Sequence, residues 1–272
     1  MSVHADEEAG RGVWLRRYVP AAAPLPATLV CLPHAGGAPT FFRPWAERLA
    51  GSLDVVPVCY PGRQDRFAEP CITRMHVLAE EVAAALLPLT DRPLALFGHS
   101  MGAALGYEVA RLLRREHGKD VAHLFVSGMV PPHLVPAGRR HLEGDEALMA
   151  DILEQGGTDA AMLADEEFRA FLLPAIRGDY RLMETYTFSG ADRALNAPIT
   201  VYYGRQDKDV SAEAAGEWAR HTTGPTEVLD FPGGHFYLQD LLEPLVADVE
   251  RRVLASVREP GRGPRPTALS PR

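Results

Sequence analysis

Ser100 lies where the character of the sequence changes abruptly. Residues 94–97 are apolar, the segment Gly98-His99-Ser100-Met101-Gly102 follows, and apolar residues with helical spacing resume from Met101 onward. This is a G-x-S-x-G pattern between a predicted strand and a predicted helix, the context in which a sharp turn exposes a serine hydroxyl as a nucleophile. The helix dipole also favours negative charge beside the serine. A plain packing turn can carry the same pattern, so its meaning depends on partner residues.

Two residues further along the chain supply the partners that such a serine needs. A serine hydroxyl is a weak nucleophile unless a base takes its proton, and the base is itself oriented by a carboxylate. With this turn the chain order is Ser, then Asp or Glu, then His. Asp207 and His235 each follow a predicted strand, at the strand ends where open α/β sheets bind ligands. We therefore predict Ser100 as nucleophile, Asp207 as orienting acid and His235 as base.

Other acids and histidines are weaker candidates for these roles. Asp209 lies two residues beyond Asp207 and is an alternative acid, although the offset from the strand favours Asp207. Asp230 lies inside a predicted strand and is less suitable. His34 and His99 precede the acid and are in the wrong order for the base. We interpret His99 as a turn residue packed under Ser100, and the three cysteines as core or loop residues: Cys31, Cys59 and Cys71.

Acyl transfer also needs hydrogen-bond donors for the negative oxygen that develops on the substrate. The residue after the nucleophile supplies one backbone N–H group, which is that of Met101 here. The second donor usually comes from a loop after an earlier strand. The segment Pro33-His34-Ala35-Gly36-Gly37 is that loop, and we predict the Ala35 N–H as the donor. The alternative is that this glycine pair forms an ordinary turn.

The elements that must position these residues are apolar runs that alternate with helical patterns. Such alternation predicts parallel βαβ units with helices on both faces of a central sheet. The predicted strands are residues 12–19 (an edge strand), 28–32, 53–59, 94–97, 121–126, 198–203 and 226–231. The predicted helices outside the long insertion are residues 41–49, 75–87, 101–115 and about 237–257.

Residues 131–197 contain no convincing strand. They hold helix-like segments at 145–155, which Gly156 and Gly157 end, and at 165–186, which Pro174 interrupts. Because so long an insertion is more often functional than a simple connection, we interpret it as a helical lid. The alternative is an insertion without a role. We predict a single domain over residues 1–258 and a disordered tail over 259–272, which is rich in Pro, Gly and Arg.

Composition excludes several classes of function. The chain has 272 residues with a net charge of −8, which disfavours general nucleic-acid binding. Its longest apolar runs are about eight residues, far short of a membrane span, and its polar start lacks the features of a secretion signal. Three cysteines without metal-ligand spacing indicate a reduced cytoplasmic protein. No HExxH, Walker A or GxGxxG pattern occurs, so we expect no metal and no cofactor.

Several longer stretches, taken in their order along the chain, carry a family resemblance. Over about residues 13–242 the chain resembles the type II thioesterases that accompany polyketide synthases and nonribosomal peptide synthetases. The stretches are LPHAGG (32–37), YPGRQDR (60–66), FGHSMGA (97–103) and FPGGHF (231–236), with LFVSG (124–128) and HTTGP (221–225) as further matches.

The resemblance implies an α/β-hydrolase fold with a mobile helical lid, acting as a stand-alone monomer. It implies hydrolysis of acyl thioesters on the phosphopantetheine arm of acyl- or peptidyl-carrier domains, and of small acyl thioesters, so that stalled or misprimed synthases are cleared. By motif position, Ser100, Asp207 and His235 match the catalytic residues, and Ala35 and Met101 match the oxyanion donors. Relatives often carry Asp-Pro where this chain has Asp207-Lys208-Asp209, so Asp209 stays an alternative.

Two other classes of function remain open from the sequence. One is a general serine esterase, lipase or peptidase, because a fold does not fix the substrate. The other is a binding module without catalysis. Since carrier domains are acidic and this chain is net negative, docking needs a local basic patch. The candidates are Arg63, Arg66, Arg139 and Arg140.

Overall fold

In the computed structural model, which describes residues 13–20, 23–157, 165–190 and 195–258, six strands form one parallel sheet. Their order is β2-β1-β3-β4-β5-β6. The order reverses between β1 and β3, which is the switch point where such sheets bind ligands. The strands are β1 (Thr28–Leu32), β2 (Asp54–Pro57), β3 (Leu94–His99), β4 (His123–Ser127), β5 (Ile199–Gly204) and β6 (Thr226–Phe231).

Helices cover both faces of this sheet, as the alternation of elements predicted. Successive β1 side chains point to opposite faces: Val30 packs with α2 and α3, whereas Leu29 packs with α1 and α8. Strands covered on both sides consist of continuous apolar residues, and β1 to β4 are buried throughout. The helices are α1 (Arg43–Leu49), α2 (Met75–Leu86), α3 (Met101–His117), α4 (Asp145–Gln155), α5 (Glu166–Glu184), α6 (Ala212–Gly216), α7 (Tyr237–Asp240) and α8 (Leu242–Arg258).

The predicted insertion between β4 and β5 contains the two helices α4 and α5, with irregular segments and short 3-10 turns before them and an irregular segment after them. Helix α4 ends at Gly156, which has a φ of 83° that a glycine adopts without steric cost. Helix α5 continues through Pro174. The two helices share a small apolar core of their own, made of Leu148, Met149, Ile152, Leu173 and Ile176. Residues 158–164, part of the predicted lid, and the predicted tail 259–272 lie outside the described residues.

Two predicted elements differ from the structure. Residues 12–19 are not an edge strand where they are described: Leu15 makes a single antiparallel bridge to Val58. The neighbouring Arg16 and Arg17 turn away to carboxylates of Asp65 and Asp54, so the segment does not extend along the sheet.

The predicted closing helix is broken at Leu241, which has φ −113° and ψ 34°. In a continuous helix, Pro244 would leave the carbonyl of Asp240 without a donor and its ring would clash with that carbonyl. In the structure Pro244 lies in the first turn of α8, where no N–H is needed.

Within the described ranges, none of the helices combines the length and the apolar character that a bilayer crossing demands. The assignment of residues 1–258 to a single domain stays a prediction.

The closest backbone packing in the sheet gives a stability prediction. A Cβ atom on Gly102 would lie 2.0 Å from the carbonyl oxygen of Leu32, so Gly102→Ala forces β1 and α3 apart. We expect a loss of about 3 kcal/mol or more in the free energy of unfolding, measured by urea denaturation. The control is Gly216→Ala, whose added methyl meets open space at the end of α6. Equal stability of the two variants would contradict the packing argument.

Candidate active site

Ser100 lies in a strained turn between β3 and α3. Its φ is 53° and its ψ is −121°, a conformation that a residue with a side chain rarely adopts and that costs free energy. The flanking glycines make the turn possible: a Cβ on Gly98 would lie 2.0 Å from the carbonyl oxygen of Gly102. The Ser100 N–H donates to the carbonyl of Ser127 on β4 at 2.8 Å. The sharp turn that the sequence predicted at this serine is therefore present.

Asp207 and His235 come together from the ends of β5 and β6. The Nδ1 of His235 donates to the Oδ2 of Asp207 at 2.8 Å, and their side chains are only 7% and 1% exposed. The two loops are closely packed, since a Cβ on Gly204 would lie 2.2 Å from the carbonyl oxygen of Gly234. The Nε2 of His235 is buried and finds no hydrogen-bonding partner among the described residues. The imidazole is thus oriented at one nitrogen and open at the other.

The geometry distinguishes Asp207 from its alternative, Asp209. The backbone N–H of Asp209 donates to the Oδ1 of Asp207 at 2.9 Å, so this residue supports the carboxylate that holds His235. Asp209 as a whole residue is exposed, but neighbouring protein partly desolvates its carboxyl. This desolvation, followed by the negative charge of Asp207, raises the pKa of Asp209 against the attraction of His235. Within the described ranges, these three side chains are the one group close enough to share a metal ion, with donor atoms within 4.8 Å. The His235–Asp207 hydrogen bond already uses two of the groups for each other.

The loop after β1 forms a tight turn around Ala35. The N–H of Gly37 donates to the carbonyl of His34 at 2.9 Å, and Gly36 has a φ of +71°, as the third residue of a type II turn requires. Ala35 lines a cavity together with Ser100, Met101 and His235. The predicted oxyanion donors therefore belong to residues that border the same space as the serine.

Two further histidines lie near His235: His99 is in contact with it, and His34 is in contact with His99. The ring of His99 is 4.9 Å from that of His235, and the ring of His34 is 5.9 Å from that of His99. Burial, with the positive charge of a protonated His235, lowers the pKa of His99 well below its usual value and that of His34 to about 3. Both imidazoles are therefore neutral near neutral pH. The sequence did not reveal that the hydroxyl of Ser127 joins His99 Nδ1, at 3.0 Å, to Tyr237.

The cavity at Ser100 has two lobes, of about 430 and 360 Å³. Ser100, Ala35, Gln155 and Tyr180 border both lobes, so the serine lies at their junction. The lid helices α4 and α5 supply walls to each lobe. Both lobes have largely apolar walls, and none of the described residues that line the larger lobe is charged. The larger lobe, called the apolar lobe below, has Phe41, Ile152, Phe168, Leu172, Ile176 and Phe236 in its wall. The smaller lobe adds charged side chains, those of Arg140, Asp151, Glu184 and Asp209.

The prediction of a docking role is wrong for two of the four arginines. These are Arg63 and Arg66, which are each only 5% exposed. Arg63 binds Asp179 at 2.9 Å, and Arg66 binds Glu69 while its guanidinium lies 4.2 Å above the ring of Trp14. A partner protein has no access to such side chains. Arg139 is exposed, and Arg140 is paired with Asp151 at 3.3 Å beside the cavity.

Fold and site together define an α/β-hydrolase: a parallel sheet, a strained serine turn after β3, and an acid and a histidine after later strands. The model of the thioesterase domain family matches residues 27–253. The chain belongs to the thioesterase family and is a hydrolase, and its resemblance to type II thioesterases of polyketide and nonribosomal peptide systems is confirmed.

Two similar curated relatives come from Streptomyces species. A probable cadicidin biosynthesis thioesterase of Streptomyces griseus is 43% identical over 245 residues, which are 90% of this chain and 66% of that protein. Thioesterase PikA5 of Streptomyces venezuelae is 41% identical over 247 residues, which are 90% of this chain and 87% of that protein. This chain thus spans just under two thirds of the first relative and most of the second.

Solved structures of type II thioesterases are similar to this chain in sequence and fold. BorB, a type II thioesterase from the borrelidin biosynthetic cluster, is 40% identical, with a TM-score of 0.82 over 89% of this chain and 98% of that one. YbtT, a type II thioesterase from the yersiniabactin NRPS/PKS pathway, is 26% identical, with a TM-score of 0.81 over 90% and 99%. The α/β-hydrolase fold expected from the sequence is confirmed by these neighbours.

The contact between His235 and Asp207 predicts unequal effects at the two aspartates. Asp207→Asn removes the acceptor that fixes the His235 tautomer, and kcat on an acyl thioester is expected to fall about 10³- to 10⁴-fold. Asp209→Asn leaves both hydrogen bonds of Asp207 in place, so kcat should stay close to that of the parent enzyme. Steady-state kinetics with circular dichroism as a folding control measures both. A larger loss in Asp209→Asn would transfer the acid's role to Asp209.

Proposed function

We propose that this chain hydrolyses acyl thioesters carried on the phosphopantetheine arm of acyl- or peptidyl-carrier proteins, and that it thereby clears stalled or misprimed synthases. The observation that carries the proposal is the contact between His235 and Asp207. The Nε2 of His235 has no hydrogen-bonding partner among the described residues, and His235 borders the same cavity as the strained Ser100. The relatives named for polyketide and nonribosomal peptide pathways supply the substrate class. Phosphopantetheine arrives as part of the substrate, and no resident cofactor is required.

The chemistry follows the logic of a Ser-His-Asp triad. In the reaction the Nε2 of His235 accepts the hydroxyl proton of Ser100 while the Ser100 Oγ attacks the thioester carbonyl. Asp207 holds the Nδ1–H and stabilises the imidazolium. The N–H groups of Ala35 and Met101 donate to the oxyanion. The thiol leaves with the proton from His235, and the acyl group stays on Ser100.

The second half of the reaction uses the same groups. His235 takes a proton from a water molecule, the resulting nucleophile attacks the acyl-enzyme, and the acid is released as Ser100 regains its proton. The two-lobed cavity accommodates a substrate with two arms. We assign the apolar lobe to the acyl chain and the lobe with Arg140 and Asp151 to the pantetheine arm, whose amides need polar partners.

The nucleophile is tested by Ser100→Ala. We expect thioester hydrolysis to fall to the background rate, because no acyl-enzyme can form, while the melting temperature stays nearly the same, because alanine keeps the Cβ atom and the same backbone conformation. A fluorophosphonate probe should label the parent chain and not the variant. Full hydrolysis by Ser100→Ala would remove Ser100 from the mechanism, and a parent chain that neither labels nor turns over would favour a binding module.

The alternative function is a general esterase with the same catalytic groups. One acyl group is presented in three ways: on a holo carrier protein, as a small thioester and as an oxygen ester. We expect kcat/KM to decrease in that order, since carrier contacts and the pantetheine lobe add binding energy in the transition state. Equal or faster hydrolysis of the oxygen ester would retain the serine chemistry and reject the carrier-directed function.

A further inference from the structure

A buried ion pair joins the lid to the loop that carries Ala35. Asp179 on α5 accepts from Arg63 through both oxygens, each at 2.9 Å, and the two side chains are 2% and 5% exposed. The Oδ2 of Asp179 also accepts from the N–H of Gly36 at 2.7 Å. Arg63 donates in addition to the carbonyl of Gly37 at 3.0 Å. One carboxylate therefore ties together the lid helix, the loop after β2 and the loop after β1.

The bond to Gly36 anchors the turn at the peptide that directly follows the Ala35 N–H. The Gly36 N–H belongs to the central peptide of the turn from His34 to Gly37, the peptide that rotates when a type II turn converts to type I. The Ala35 N–H belongs to the preceding peptide, so Asp179 acts on it by holding the position of the whole turn. The carboxylate accepts the N–H in its observed orientation and would repel the carbonyl of Ala35 if the peptide turned over. Ile176 of α5 also packs on the turn: a Cβ on Gly36 would lie 2.4 Å from its side chain.

We propose that Asp179 is a positioning residue for the oxyanion hole: through Gly36 it fixes the turn that presents the Ala35 N–H to the substrate oxygen. This inference rests on the function proposed above. The desolvation of a buried ion pair costs free energy, and apolar residues of similar volume often stabilise a buried site as well or better. Attachment of the lid alone therefore does not require a charged pair. A carboxylate that accepts a backbone N–H gives a short, directional bond, which suits the positioning of a peptide.

Helix α5 is built to bring this carboxylate close. Gly178 permits the approach, since a Cβ there would lie 2.8 Å from the Cβ of Cys71. Before Pro174, only Leu173 of the helix is buried, whereas Ala175, Ile176, Gly178, Asp179 and Leu182 are buried after it. The proline also lacks the N–H that would bond to the carbonyl of Ala170. The half of α5 after Pro174 is therefore the half that packs inward, where Asp179 reaches the loop after β1 while Ile176 also contributes to the core shared with α4.

The test is Asp179→Asn in the full chain, with a small acyl thioester as substrate. Asparagine keeps the shape and one acceptor oxygen but loses the charge that balances Arg63. Because the oxyanion develops only in the transition state, we expect kcat to fall about ten- to a hundredfold while KM changes by less than about threefold. A change in KM alone, with kcat intact, would overturn the proposal.

Two inhibitors separate positioning from a general structural effect. A trifluoromethyl ketone with the substrate's acyl chain forms a hemiketal on Ser100 whose oxygen lies in the oxyanion hole. A thioether analogue, with CH₂ in place of the carbonyl, does not use the hole. Asp179→Asn should weaken the ketone by the same factor as kcat/KM and leave the thioether affinity unchanged. Equal weakening of both ligands would indicate a merely structural role and overturn the proposal.

The matched control breaks another buried ion pair. Arg252 of α8 is 3% exposed and binds Asp248 and Glu227 at 2.6 and 2.8 Å, away from both lobes of the cavity. Arg252→Met should lower the melting temperature at least as much as Asp179→Asn does, with kcat and ketone affinity unchanged. If Asp179→Asn does not fold, the second variant is Arg63→Lys, which keeps the positive charge but loses the bidentate bond to Asp179. We expect it to lower kcat and ketone affinity in the same way, but by smaller factors. Wild-type kinetics in either folded variant would overturn the inference.

The proposed function and this inference fail in different ways. A parent chain that does not hydrolyse thioesters, or hydrolysis that survives Ser100→Ala, rejects the proposed function itself. Parent activity that requires Ser100, together with an Asp179→Asn variant of unchanged kcat and ketone affinity, rejects only the role of Asp179.

Discussion

The contact of bare backbone beneath Ser100 is the constraint on which the arrangement of the site depends. Gly98, Gly102 and the carbonyl of Leu32 lie so close together that β1, β3 and the start of α3 have no room for a side chain between them. This packing holds Ser100 in its costly conformation. Since all six strands are parallel, the loops that follow β1, β5 and β6 meet at the same edge of the sheet. The remaining groups of the site need only short loops to reach the serine.

Of three neighbouring imidazoles in the site, one is paired with a carboxylate. His34, His99 and His235 are near neighbours, and in water each would titrate near neutral pH. His235 alone has a carboxylate partner, in Asp207. Burial and the presence of another imidazole keep the pKa of His34 at about 3 and that of His99 well below its usual value. Of the three imidazoles, His235 is therefore the one that a carboxylate orients, while the neutral ring of His99 packs beside it and that of His34 packs on His99.

Sequence patterns predicted the central parts of the fold because they are local. The alternation of buried strands and helices, the serine turn and the glycine that ends α4 each depend on a few adjacent residues. The sequence could not show which of Asp207 and Asp209 contacts His235, because both lie in one loop; in the structure it is Asp207. The Arg63–Asp179 pair spans 116 residues, and no local pattern joins its partners. Asp179 did carry one signal: it is a charged residue on the apolar stripe of α5, between Ile176 and Leu182.

The division of α5 at Pro174 bears on how this enzyme's specificity can be re-engineered. An exchange of the whole insertion between relatives would import a foreign partner for the Gly36 peptide along with the new pocket wall. A chimera that joins at Pro174 would replace α4 and the exposed half of α5, which supply Ile152, Phe168 and Leu172 to the apolar lobe. It would keep the recipient's own Asp179 and Arg63. A junction at Pro174 changes the wall of the larger lobe and keeps the contacts of Asp179, but it divides the core of α4 and α5, because Leu173 and Ile176 lie on opposite sides of it.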